Sequence, residues 1–388
     1  MRTQLRKINN STLAGILIVL GFTISILVIP SYSSVLSYKN YSWYYDIGQN
    51  VDDQVINMQI SYDGSYFLVS TTSSLLLFQK SILFPIWLYD NVRYLFHISI
   101  TLNGNYFAGG NSDYLYVFSR EGSNINLRFV KPSDSIGAVD FSRNGNFFVV
   151  TDSKTLYLYS TSTFLPLWAF TSEKNFDEAE ISADGSYIVA SDGSYLYLFS
   201  KFSNIPLWKF SLDGYVHRLA FSANGKYIVV GEYIKLGKNP KTLYLFERES
   251  NLPIWSRDFG RYITSVAISD DGSVIAAGNS EGLVSLFSST SSIPIFTFNA
   301  PWSIQALSLS SNGKNIAVIS AISYACLMCA GCPCPKNEGE LYVFNLESPY
   351  TSWWYNMNDY ISFGAISSDG RSVLVGSFDK VYYFQNKL

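Results

Sequence analysis

The sequence predicts an all-β fold, an eight-bladed β-propeller of four-stranded blades preceded by one N-terminal transmembrane helix. Three observations predict it. A hairpin pattern returns about every 40 residues, the period of propeller blades. Only 15% of the residues are charged while 16% are aromatic, with 29 Tyr and 27 Phe, a composition that suits strands and turns. One apolar run stands near the N-terminus behind a basic tail.

Residues 1–12 are that tail, in which Arg2, Arg6 and Lys7 stand without an acid. The run "LAGILIVLGFTISILVI" at 13–29 has no charge and is ended by Pro30. A membrane span needs about 20 apolar residues, with about 17 as the lower limit. A signal-peptide core is usually about 7–15 residues and is followed by a small-x-small site. The run is long for a signal and no alanine site follows, so 13–30 reads as an anchor, with a cleaved signal peptide and secretion as the alternative. The one-sided bases stay in the cytoplasm and everything after Pro30 is exported. Residues 31–40 form a polar linker, where Asn40 of "NYS" is the glycosylation acceptor on the exported side.

Residues 41–388 form the propeller. "LAFSANGKYIVVG", "AEISADGSYIVAS", "VDFSRNGNFFVVT" and "VAISDDGSVIAAG" each join two alternating apolar segments by an Asn-Gly or Asp-Gly turn. That is hairpin grammar, since Asn and Asp tolerate left-handed backbone angles and Gly adopts them freely. The turn glycines are Gly64, Gly104, Gly145, Gly185, Gly225, Gly272, Gly313 and Gly370, so the spacings are 40, 41, 40, 40, 47, 41 and 57. A third and a fourth strand follow each hairpin, as in "YLYLFSKFS" with "NIPLWKFSL". Seventeen residues before the next turn glycine stand Trp87, Trp168, Trp208, Trp255, Phe296 and Trp353, with Arg128 in one blade. These read as packing residues between blades. The body opens on "YSWYYDIG", which matches a fourth strand around Trp43, and ends on "KVYYFQNKL", which matches a third. One blade is therefore expected to be completed from both termini, removing an open sheet edge.

The segment "LYLFSKFSNIPLW", residues 196–208, resembles the repeated docking motif of quinoprotein-type propellers, with Asn204, and likewise Asn124 and Asn251, where that family has a turn glycine. The "FSANGKYIVVG" half is similar to WD40-like repeats, but the WD dipeptide and its paired histidines are missing, since the chain has only His97 and His217. The resemblance covers nearly the whole body and implies a propeller. It also implies a cofactor held in the channel by an adjacent Cys-Cys disulfide, a stacking Trp and calcium-binding acids. No adjacent cysteine pair exists here; Pro333 separates Cys332 from Cys334. No cofactor is expected on that ground.

Other catalytic patterns are absent as well: there is no G-x-S-x-G elbow, no H-E-x-x-H and no P-loop. The formal charge of −3 becomes −6 once Arg2, Arg6 and Lys7 are set aside, and a mildly acidic body without a basic patch excludes nucleic acid as the partner. The ionisable cluster expected at the channel is Asp177, Glu178 and Glu180, beside Asp140 in one neighbouring blade and His217 and Arg218 in the other. It reads either as a solvated lining or as a cation or sugar site, because inward carboxylates shift one another's pKa.

Two additions, 232–242 and 321–340, fall between second and third strands and so decorate one face, where loops vary without disturbing the core. The second holds all four cysteines, Cys326, Cys329, Cys332 and Cys334. Outside the cell two disulfides are the simplest reading. The same spacing can wrap one zinc or iron in four thiolates, and free thiols are the third option. The expected function is a membrane-tethered binding or scaffolding module, for an envelope protein or a surface glycan, with a composition similar to archaeal surface proteins. A redox or lyase-type channel enzyme and a structural surface lattice are the rival readings; oligomeric state is left open.

Overall fold

The computed structural model describes residues 37–38, 41–47, 53–132, 135–233, 242–322, 338–347, 353–357 and 359–386. These residues form eight antiparallel sheets arranged as a closed ring. Blades 1 to 7 occupy 55–90, 97–132, 136–171, 178–211, 215–258, 263–299 and 303–356. Blade 8 takes its first three strands from 361–385 and its fourth from Trp43–Asp46, which pairs antiparallel with Lys380–Gln385. The expected closure from both termini is borne out. The linker differs from expectation in one respect: Ser37–Tyr38 pairs in parallel with Trp353–Trp354 as a fifth strand on the outer edge of blade 7.

Seven of the eight hairpin turns use the same local chemistry, and in blade 2 the Thr101 hydroxyl donates to Tyr106 O at 3.0 Å instead. In blade 4 the Ser182 hydroxyl donates to Asp184 Oδ1 at 2.7 Å and accepts the Tyr187 N–H at 3.0 Å, while Asp184 Oδ1 accepts the Ser186 N–H at 2.9 Å. Gly185 then takes φ +74°, where a Cβ would meet the Phe147 ring of blade 3 at 2.5 Å. Glycine is required there by backbone angle and by the neighbour together.

The core is eight separate hydrophobic clusters, one per blade interface. A fourth-strand aromatic meets a third-strand phenylalanine of the next blade in seven of the eight interfaces: Trp43–Phe78, Trp87–Phe118, Trp168–Phe199, Trp208–Phe246, Trp255–Phe287, Phe296–Phe344 and Trp353–Phe384. Arg128 fills that slot in blade 2 and turns back on its own blade, to Ser119 and Glu121. Several indoles also donate across the gap, as Trp168 Nε1 does to Lys201 O at 3.0 Å and Trp208 Nε1 to Arg248 O at 2.6 Å. The asparagines at the third turn act in the opposite direction. Asn204 Nδ2 donates to Ala169 O of blade 3 at 2.9 Å, and Asn251 Nδ2 to Lys209 O of blade 4 at 3.4 Å.

Within each blade the links from the preceding blade and the second-to-third connections lie at one end, the turn glycines at the other. Both long insertions leave from the link end, between Tyr233 and Thr242 and between Ala321 and Gly339. Glu232 belongs to the strand and not to the loop: it is fully buried and accepts the Asp213 and Gly214 N–H groups at 2.9 and 3.2 Å. The four cysteines, Asn40 and residues 13–30 lie outside the described residues. Among the described residues no helix is long and apolar enough to cross a membrane.

Candidate functional site: the axial chamber

The first strands of the eight blades surround a chamber of about 740 Å³. Alignment of the blades on their turn serine or threonine (Ser61, Thr101, Ser142, Ser182, Ser222, Ser269, Ser310, Ser367) resolves its wall into tiers. Strand period sends every second residue inward. The tier four residues before the turn holds Asn57, His97, Glu178, Arg218 and Ser265; the tier two residues before it holds Gln59, Asp140 and Glu180. In six blades a β-bulge lies just above, at Ile56, Gly137, His217, Thr264, Gln305 and Ser362. Such a bulge re-aims the side chains beside it.

Asp140, Glu178, Glu180 and Arg218 thus come together across three successive blades. Asp177 does not join them, because it precedes Glu178 and falls out of the inward register; it stands exposed at the link end near Gly193. His217 is the bulged residue of its strand, and its side chain lies outside the described residues. His97 takes a place in the wall that a reading confined to 177–180 misses, although its distance from Thr101 matches that of Glu178 from Ser182.

Two of the carboxylates have structural work. Asp140 Oδ2 accepts the Ile181 N–H of blade 4 at 3.1 Å and Oδ1 accepts the Ser99 hydroxyl of blade 2 at 3.1 Å. Glu180 Oε2 accepts the Phe221 N–H of blade 5 at 2.7 Å. Ser99 and Ser308 do the same for Phe141 and Ile366 from the equivalent position. Glu178 is different: it keeps 30% of its side-chain surface open and its Oε1 stands 3.8 Å from Arg218 Nη1. Arg218 Nε is held by Thr264 O at 2.9 Å.

Burial dominates the electrostatics. It pushes Asp140 up to about 6 against its hydrogen bonds, and Glu178 up to about 7 against Arg218, with Asp177 adding to the rise. Glu180 is raised well above the carboxylate range by burial and then by Asp140 and Glu178. His97 is lowered to about 4 by burial and by Arg218, which keeps its imidazole neutral. Among the described residues no group of three or more His, Cys, Asp or Glu is placed to hold a metal ion.

The turn end of the axis is crossed by a latch. The Arg143 guanidinium of blade 3 donates to both oxygens of Asp270 of blade 6, at 2.7 and 2.8 Å. The Tyr62 hydroxyl of blade 1 donates to Asp270 Oδ2 at 2.6 Å, and the guanidinium lies 3.5 Å from the Tyr62 ring centroid. All three sit immediately after a turn serine. The sequence signal was therefore an unusual ionisable or aromatic residue in one column of the repeat, where other blades carry Ala183, Ala223, Ser311 and Ser368. A smaller cavity of about 270 Å³ surrounds the latch.

The two ends of the ring also differ in charge. At the link end Asp46, Asp90, Asp113, Asp213, Asp258 and Glu281 are exposed, against Arg93, Lys154, Lys174 and Arg261. At the turn end acids and bases pair off: Lys226–Glu247, Arg248–Glu249, Lys314–Glu347 and Arg143–Asp270. A third cavity, about 780 Å³, lies at the periphery between blades 3 and 4. Its buried acid, Asp192, is satisfied by Ser172, by the Tyr197 hydroxyl at 2.8 Å and by two backbone N–H groups.

No family model matches the chain, and no curated protein matches it in sequence. Its fold is shared. A chain in the crystal structure of the mitotic checkpoint complex superposes with a TM-score of 0.58 at 13% identity, over 75% of this chain and 90% of that one. In all, 1830 chains of known structure match, so the likeness establishes a propeller and does not select among propeller functions.

Proposed function

We propose that the protein is a binding or scaffolding module whose link-end face receives a partner protein presenting Lys and Arg. One observation carries this reading: the link end keeps an excess of exposed acid after Arg261 pairs with Glu281 and Lys380 with Asp379, and it holds the chamber mouth and both insertion points, whereas at the turn end acids and bases offset one another and the axis is latched. Complementary potential speeds encounter and selects partners more than it adds affinity. The apolar run 13–29 supports tethering to a membrane with the propeller on the extracytoplasmic side, and the partner is then an envelope protein. Among the described residues the wall shows no nucleophile–base pair. Quinoprotein-like ancestry without the dehydrogenase cofactor accounts for the docking motif.

Photo-crosslinking in intact cells tests the face. Crosslinkers at Asp113 or Glu281 should trap a partner, and those at Lys226 or Lys314 should not, with the yield falling as salt rises. Equal trapping from the turn end, or none from the link end, would reject the proposal. Protease added to intact cells should digest the propeller if it is exported; full protection would remove the envelope assignment.

A further inference from the structure

We propose that the turn-end rim of the propeller rests on the surface of the lipid bilayer to which the chain is tethered. This rests on the membrane tethering proposed above and adds which end of the ring faces the lipid.

The rim is apolar where packing does not require it. Immediately before the fourth-strand aromatic slot, blades 1 to 6 carry Ile86, Leu127, Leu167, Leu207, Ile254 and Ile295, all exposed, from 37% at Ile86 to 61% at Ile295. Two places earlier stand Leu165, Ile205, Leu252 and Ile293, which are 64%, 72%, 69% and 72% exposed. A lone exposed aliphatic needs no explanation, but a column of them repeated in successive blades marks an interaction surface. Blades 7 and 8, whose outer edges pair with the N-terminal chain or are made by it, have Ser352 and Ser42 in that column.

The same repeat position in successive blades lies at the same height on the axis, so these residues form one level band. Its height is that of the hairpin turns. The third strand ends against the turn, where Lys201 N–H donates to Ser186 O at 3.0 Å, and the fourth strand starts from there. Phe202, 85% exposed, stands at this point with the Lys201 ammonium 5.1 Å from its ring centroid. Lys80, Arg120 and Arg248 occupy the place of Lys201 in blades 1, 2 and 5. A level apolar surface edged by Lys and Arg, whose stems lie along it while their charged heads stay in water, matches the chemistry of a bilayer interface. Acids and bases offset one another at this end, so apolar contact rather than charge would hold it to the lipid.

The direction of the chain selects the bilayer over other apolar partners. Trp43 pairs opposite Tyr383 and Asp46 opposite Lys380, so Trp43–Asp46 runs from the turn end to the link end. Ser37–Tyr38 runs the same way, parallel to Trp353–Trp354. The chain thus enters both strands from the turn end. Only residues 30–36 separate the apolar run from Ser37, and seven residues reach at most about 25 Å. A tether this short keeps the turn end near the membrane and leaves the acidic link end facing outward.

The test uses full-length protein in dioleoylphosphatidylcholine vesicles that contain a phosphatidylcholine with a diazirine high on its acyl chain, with labelled peptides mapped by mass spectrometry. Label should appear at 84–88, 165–167, 205–207, 252–254 and 293–295 as well as in 13–29, be absent around Asp113 and Glu281, and persist as salt rises. The triple variant Leu165→Glu, Ile205→Glu, Leu252→Glu should lose the label on blades 3 to 5, keep it in 13–29 and melt as the parent does, since all three side chains are exposed. Should it fail to fold, Ile293→Glu alone, read on blade 6, replaces it. Label in 13–29 with none on the rim would overturn the proposal and leave the tethering intact; rim label with none in 13–29 would support the contact and remove the tether. Label equally strong around Asp113 and Glu281, or undiminished on the rim of the variant, would overturn the proposal. So would rim-to-rim crosslinks between copies without lipid label.

Discussion

Glu180 illustrates how a residue that reads as chemistry can be holding the ring together. Its Oε2 supplies the acceptor for the Phe221 N–H, a bond that an apolar residue there could not make. Its folded pKa lies well above its ordinary value because burial penalises the charged form. The folded state therefore binds protons more readily than the unfolded chain between about pH 4.5 and neutrality, and stability falls as pH rises through that window. Glu178, at about 7, and Asp140, at about 6, act in the same direction. Asp184 in the turn has the opposite sign: against partial burial, the Ser186 N–H and the Ser182 hydroxyl hold it below the usual range, so its contribution is lost only in acid. His97, lowered to about 4, has the opposite sign and removes stability as pH falls below about 6.5. The raised acids Glu180, Glu178 and Asp140 outnumber it, so melting temperature should rise as pH is lowered from about 8 to about 6.5, rise less steeply from there to about 5.5, and fall below about 4. Glu180→Gln should melt higher than the parent at pH about 8 and flatten the slope above pH 5. Unchanged slope in that variant would show that Glu180 is ionised at little cost.

At the scale of single strands, edges decide the outcome. The fourth strands are outermost in every blade but the seventh, and Pro85, Pro166, Pro206, Pro253 and Pro294 stand in or beside five of them. In blades 1 and 4 the following residue turns its N–H inward, Ile86 to Leu77 O at 2.8 Å and Leu207 to Leu198 O at 2.7 Å. The missing proline donor thus falls on the outer side, where an unpaired N–H would invite another strand. Blade 8 is protected differently, by Trp43–Asp46, whose Trp43 ring packs on Tyr383 at 5.3 Å and on Phe78 of blade 1 at 6.2 Å. Deleting 41–48 removes that strand and uncovers Val381 and Tyr383, which are 0% and 4% exposed. The deleted protein should aggregate on gentle heating, followed by light scattering. An equally soluble and heat-stable product would mean that the ring closes without its terminal strand.

Across the whole molecule, the latch joins Asp270 of blade 6 to residues of blades 3 and 1, each three blades away around the ring. Arg143 and Asp270 are separated by 127 residues, and Tyr62 and Asp270 by 208. Such long-range ties cannot form until the ring has closed, so they oppose opening between blades more than they guide folding. Asp270→Asn keeps the shape and removes the charge that receives both Arg143 donors. It should cost about 1–3 kcal/mol, the range for a charged hydrogen bond left partly unmade. Amide exchange at 61–64, 142–145 and 269–272 should quicken together in that variant. Faster exchange in one blade alone would reduce the latch to a local contact.

The sequence by itself determined the architecture, because each blade is a local object. A Ser-x-Asp/Asn-Gly turn, a period of two and a fixed Trp-to-Gly interval all act within about 40 residues, and every blade repeats them. Blade count, terminal closure and the insertion points followed from that grammar alone. The channel neighbours Asp140, Glu178, Glu180 and Arg218 were equally legible, since the same repeat position in successive blades is the same height on the axis. His97 was legible by that same rule, four residues before Thr101 as Glu178 is before Ser182. The exclusion of Asp177 and the pairing of Arg143, Asp270 and Tyr62 in the latch were decided only by the tertiary structure. Inward register depends on where each first strand begins and where a bulge interrupts it, as at His217. Contacts across the axis join residues with no sequence relation beyond sharing a column of the repeat, and it is ring closure that sets one opposite another.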